Sequence, residues 1–124
     1  MIRRIFTVVL LTAIMGFAAQ NEASAQIFST KLKITVLDEL GNVVPDAKVL
    51  LFKNKSDWEK ETNEVQPFKL TNIKGQVTFK KLTQESYYVL VRKGEKDNIG
   101  RGEKVEDMVP KKLNKANIVI SDEL

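Results

Sequence analysis

From residue 31 onward, apolar and polar side chains alternate: Leu32, Ile34 and Val36 fall on one side, and Lys31, Lys33 and Thr35 on the other. A period of two predicts a strand with one face buried. The alternation stops at Asp38-Glu-Leu-Gly41, where Asp can bond backbone groups two residues on and Gly can adopt positive φ, so the chain is expected to reverse there. AKVLLFK follows Pro45-Asp46. Ala47, Val49 and Leu51 lie on one side of it and Leu50 and Phe52 on the other, which predicts a central strand or one whose outer face is covered by a loop. The stretch NKSDWEKETNEVQ is polar apart from Trp58 and Val65 and is long for a hairpin connection. Its Ser56-Asp-Trp-Glu59 has the form of a capping box and predicts one helical turn, with Trp58 folded back onto the sheet.

PFKLT, residues 67–71, reads as a short strand running into a second reversal, Asn72-Ile-Lys-Gly75, after which Val77 and Phe79 should point inward. The two reversals share a frame: Asx, two residues, Gly, one residue, Val. Each should be a tight turn, with its Val (Val43 or Val77) as the first inward residue of the next strand. SYYVLVRK, residues 86–93, carries β-branched and aromatic residues on both faces and is the most strand-like segment of the chain. GEKDNIGRGEKVED reads as loop. MVPKKL reads as a short edge strand because Pro110 has no amide to give a central ladder, and ANIVIS, residues 116–121, reads as a last strand with Ala116, Ile118 and Ile120 inward. About seven strands with turn signals between them and no sustained helical period predict an all-β, Greek-key sandwich.

The N-terminus has a different pattern. Arg3 and Arg4 precede an uncharged run from Ile5 to Ala19 and the small-residue triplet Ala23-Ser24-Ala25. This is the form of a cleaved signal peptide over 1–25, followed by a single domain over 26–124. The run is shorter than the roughly 20 residues of a membrane-spanning helix, so no stable membrane insertion is expected after cleavage. The sequence has no cysteine, which removes lipid attachment at a cysteine and leaves the exported chain without disulfides. Stability must then come from one modest core and from sheet hydrogen bonds. The formal charge of +4 is spread over alternating Lys and Glu, with no basic block interleaved with aromatics, and nucleic acid is not an expected partner.

The succession TVLDELGNVVPDAKVLLF, LTNIKGQVTFKKL, YYVLVRKG and a final apolar strand resembles the carboxypeptidase regulatory-like domains, which are transthyretin-like (prealbumin-like) sandwiches of exported Bacteroidetes-type proteins. The matching positions include Asp38, Gly41, Pro45, Ala47, Thr71, Gly75, Val77, Phe79 and Tyr87. They are turn formers and core residues, so the resemblance implies a fold and leaves function open. Where that family often carries Pro-Gly before its tyrosine strand, this chain has Gln84-Glu-Ser86. The hydroxyisourate hydrolases of the same fold use histidines and a C-terminal Tyr-Arg-Gly-Ser, both missing here, and that activity is not expected.

With no histidine and no cysteine, the sequence offers no Ser-His pair, no thiol nucleophile and no ordinary zinc site. Carboxylate neighbours such as Glu59 with Glu61, or Glu106 with Asp107, read as solvated surface. DELGN supplies too few carboxylates at alternate positions for calcium. A Lys33–Asn117 isopeptide bond is disfavoured because strand parity turns both residues to solvent. No catalytic residue, metal or cofactor is therefore expected. Recognition by surface remains, through the aromatics Trp58, Phe52 and Tyr88, which could form a stacking platform, or through the loop from Gly94 to Asp107. Trp58 and Phe52 also have the plainer reading of sealing their loop onto the sheet. The expectation is an exported, non-catalytic module that binds a protein or glycan in the periplasm or at the cell surface of a Gram-negative bacterium. The alternative is an assembly or adhesion subunit that oligomerises through strand edges, and the oligomeric state is open.

Overall fold

A computed structural model describes residues 29–122; the expected leader and its cleavage site lie outside the described residues. Among the described residues, eight strands and one short helix run in the order β1 (Lys31–Leu37), β2 (Lys48–Phe52), α1 (Lys55–Lys60), β3 (Lys69–Leu70), β4 (Gln76–Phe79), β5 (Tyr87–Lys93), β6 (Lys96–Asp97), β7 (Lys104–Val105) and β8 (Leu113–Val119). They form two sheets. One has three strands in the order β4-β1-β8; the other has five, in the order β3-β2-β5-β6 with β7 also paired to β5. The arrangement is consistent with a β-sandwich.

The core lies where the alternation put it. Leu32, Ile34 and Val36 of β1 are fully buried and pack in one cluster with Val49 and Leu51 of β2, Val77 and Phe79 of β4, and Tyr87, Val89 and Val91 of β5. β1 lies antiparallel to β4, with Ile34 opposite Val77, and parallel to β8, with Ile34 opposite Ala116. Period two is the same for either pairing sense, so the parallel pair could not be read from the alternation.

Both Asx-Gly frames fold as tight turns by the same bonds. Asp38 Oδ1 accepts from the amides of Leu40 and Asn42, at 3.0 and 2.9 Å, and Asn72 Oδ1 accepts from those of Lys74 and Gln76, at 2.9 and 3.0 Å. Gly41 and Gly75 both take positive φ, 85° and 72°. The frames diverge after the turn. Val77 enters β4 and is buried, whereas Val43 makes only an isolated bridge to Leu37 and stays 47% exposed. The expectation of an inward Val therefore fails at the first copy, because Val43 is followed by the Pro45-Asp46 turn rather than by a strand. Thr71 closes that region: its buried hydroxyl accepts from Ala47 N (2.8 Å) and donates to Val44 O (2.6 Å).

Three further expectations are corrected. The stretch 94–107 holds the two-residue strands β6 and β7 rather than loop alone. MVPKKL forms no strand of its own: Met108 is buried as an anchor and the chain turns at Pro110-Lys111, while its last residue, Leu113, opens β8 ahead of the expected Ala116. PFKLT contributes only Lys69–Leu70, paired to β2. The turn before β5 lacks Pro-Gly but is held by Tyr87, whose phenol oxygen accepts from the amides of Thr83 (2.9 Å) and Gln84 (3.0 Å). A buried tyrosine bonded to upstream backbone fixes a corner without proline.

Candidate functional site

The outer face of the five-stranded sheet is built by the residues that parity turns away from the core. Phe52 on β2 and Tyr88 on β5 are register partners, as are Leu50 and Leu90. Phe52 and Leu90 are fully buried yet lie outside the central cluster, because α1 packs over β2 and β5 on this side. The helix begins at Asn54, whose side chain accepts from Asp57 N at 2.8 Å, and ends at Glu61 in the left-handed conformation. The expected cap, Ser56, instead lies inside the helix. An Asn N-cap satisfies the first free amides as well as serine does, and two residues earlier it leaves room for six helical residues.

From this short helix Trp58 reaches back to the sheet. Its indole Nε1 donates to Val89 O at 3.0 Å, and its ring lies 6.3 Å from that of Tyr88, tilted by 44°. Lys104 Nζ lies 5.6 Å from the Tyr88 ring centroid and pairs with Glu106 at 2.9 Å, which raises the lysine pKa above its ordinary value. Further along the same face, Arg92 binds Glu61 through both terminal guanidinium nitrogens, the Nη2–Oε2 bond measuring 2.9 Å. That hydrogen bond holds the Glu61 carboxyl below the usual range and raises Arg92. The outcome is a half-buried indole and phenol side by side, fixed from below and flanked by a cation. Such a surface offers π-faces and a hydrogen-bonding rim to a flat or ring-shaped ligand.

Of the three aromatics singled out in the sequence, Trp58 and Tyr88 are brought together at the surface, and Phe52, the cross-strand neighbour of Tyr88, has no exposed area. The other region of interest, 94–107, is organised by Asn98, which sequence reasoning missed. This residue is fully buried. Its Oδ1 accepts from Val91 N at 2.9 Å, and its Nδ2 donates to Val89 O at 2.8 Å and Gly102 O at 3.2 Å. β6 and β7 each pair with a different part of β5, and the Asn98 amide fills the gap between them. The Asn-Ile-Gly run signals a turn, but only the pairing of β5 reveals which amide needs a side-chain partner.

Three of the carboxylates considered for acid-base work face cations. Glu59 lies 4.0 Å from Lys55, Glu61 binds Arg92 and Glu106 binds Lys104, all on the surface. Among the described residues no group of three Asp or Glu side chains converges as metal ligands. Lys33 is paired with Lys115, while Asn117 is opposite Thr35. At the end of the molecule bearing the two Asx-Gly turns, a shallow groove is lined by Asp38, Val44, Pro45, Lys93 and Ile120, and the turn residues Leu40 and Ile73 are 87% and 85% exposed. No helix among the described residues is long and apolar enough to cross a membrane. No protein-family model matches the chain, and no curated protein is significantly similar to it.

Proposed function

We propose that this chain is an exported, non-catalytic binding module of the cell envelope, a Greek-key sandwich of transthyretin-like, carboxypeptidase-regulatory-like type that recognises a protein or a glycan. The observation that carries the reading is the Trp58–Tyr88 pair, held in place by the indole bond to Val89 O and flanked by Lys104. A fixed aromatic surface has little rotamer freedom left to lose, which lowers the entropic cost of stacking a sugar ring or a peptide side chain. Recurrence of the Asx-Gly turns and the corner at Tyr87 support the finer fold assignment, and the basic, apolar, small-residue succession over 1–25 supports export to the periplasm or cell surface of a Gram-negative bacterium.

Tyr88 is the cleaner probe, because Trp58 also ties α1 to the sheet through its bond to Val89 O. Tyr88→Ala should keep the far-UV circular dichroism of the parent while losing retention on envelope polysaccharide or on immobilised envelope protein. Retention undiminished by the substitution would remove the platform from the account. The reading as an assembly subunit is favoured by a separate observation, the seven-residue strand β8 at the border of its sheet.

A further inference from the structure

The two sheets have four borders among the described residues, and three of them are blunt. β3 offers two residues and β4 four, and at the third border β6 and β7 are two residues each, with Asn98 filling the gap between them. β8 is different. Over its seven residues it pairs with β1 alone, and its outer side is taken up only past its end, where Ser121 exchanges backbone bonds with Asp97 of β6. Lys31 N donates to Lys112 O and Ile120 N donates to Leu37 O, so the even-numbered residues of β8 turn their backbone groups toward β1. The amides and carbonyls of Leu113, Lys115, Asn117 and Val119 therefore point outward, and no partner for them occurs among the described residues. Leu113, Lys115 and Asn117 are exposed and Val119 is half-exposed. A long, open edge of this kind is a template for another strand.

The geometry points to a second copy of this chain as the occupant, with β8 antiparallel to β8 about a two-fold axis centred on Ala116. This specifies the edge on which the assembly reading depends and is independent of the aromatic platform. Only outward-facing residues can exchange hydrogen bonds, so odd-numbered residues must meet odd-numbered residues. Centred on Ala116, Leu113 lies opposite Val119 of the second copy and Lys115 opposite Asn117, and every outward amide and carbonyl of the strand finds a partner. On the solvent side two apolar pairs then flank two Lys–Asn pairs, and no like charges oppose one another. A shift of two residues one way sets Lys115 against Lys115; the other way it shortens the ladder and opposes Asn117 to itself. The two-fold arrangement closes the edge and stops further growth, joining the three-stranded sheets into one of six strands across the pair. The contact is small, so the pair should form in the micromolar-to-millimolar range.

Sedimentation velocity over a concentration series, on the chain purified as the cell processes it, tests this. The parent should pass from monomer to dimer. Asn117→Pro should remain monomeric with an unchanged far-UV spectrum, because its amide makes no bond within the protomer. Register is tested separately by oxidation of cysteine variants: a mixture of Lys115→Cys and Asn117→Cys chains should cross-link, and either variant alone should not. A parent that stays monomeric at millimolar concentration, or an Asn117→Pro chain that is folded and still dimeric, would overturn the proposal. If the proline chain is unfolded, the mixed cysteine chains decide, and absence of their cross-link overturns the pairing.

Discussion

Gly41 and Gly75 occupy equivalent places in two nearly identical turns, but a Cβ would meet different surroundings at each. At Gly41 nothing lies within 4 Å, whereas at Gly75 the added carbon would sit 3.0 Å from Val36 O, Val43 Cβ and Val44 N. Gly41→Ala should therefore cost only the left-handed backbone penalty, about 1 kcal/mol. Gly75→Ala adds overpacking and should cost about 3 kcal/mol in all, read as the difference in urea midpoints; equal losses would contradict the packing of the second turn under the first. Asp38 and Asn72 form a similar matched pair. Bonds from the Asn42 and Leu40 amides hold the Asp38 carboxyl below its ordinary value. A depressed carboxylate stabilises the fold above the unfolded-state pKa and loses that contribution as pH falls through the folded value. Asp38→Asn copies what Asn72 already does, so it should preserve the melting temperature at neutral pH and flatten its decline below about pH 4. The chemistry of both turns was legible because Asx and Gly act within four residues. The crowding at Gly75 was not, since its neighbours Val36 and Val44 are distant in sequence.

At the scale of elements, β1 and β4 were legible because alternation directly reports which side chains a sheet buries, and β5 because its β-branched and aromatic residues fill both faces. β6 and β7 were too short to alternate, and Asn98 was read as part of a polar loop because its role depends on a gap in the ladder of β5. Asn98→Ala would orphan the buried Val91 amide and weaken the link to Gly102 O, and should cost about 2–4 kcal/mol in chemical denaturation. A loss below about 0.5 kcal/mol would mean that the side chain does not seat there. The helix was expected from a capping box at Ser56, and the cap proved to be Asn54, since the first free amide that needed a partner was that of Asp57. Asn54→Ala should weaken α1 by about 1 kcal/mol. Trp58 is the sole tryptophan, so fraying of α1 should shift its emission to the red before the sheets unfold. Coincident transitions would indicate that α1 is not a separate lid over Phe52.

Across the whole molecule, the sequence led to two layers with a shared core but not to the sense in which the first and last strands meet. Of the candidate site, the three aromatics were identifiable as surplus to the alternating core. Their final places required the parity of β2 against β5: Phe52 is buried beside Tyr88, while Trp58 and Tyr88 meet at the surface. The parallel β1–β8 pair has two consequences. It brings the first and last of the described strands together in one sheet, and it leaves the odd-numbered backbone of β8 facing outward. Cross-strand nuclear Overhauser effects test this arrangement most directly. The account predicts an Hα–Hα contact between Lys33 and Thr78, and contacts between residues 31–37 and 113–119 that advance in the same direction along both segments. Contacts between those last two segments that advance in opposite directions, or none at all, would contradict it.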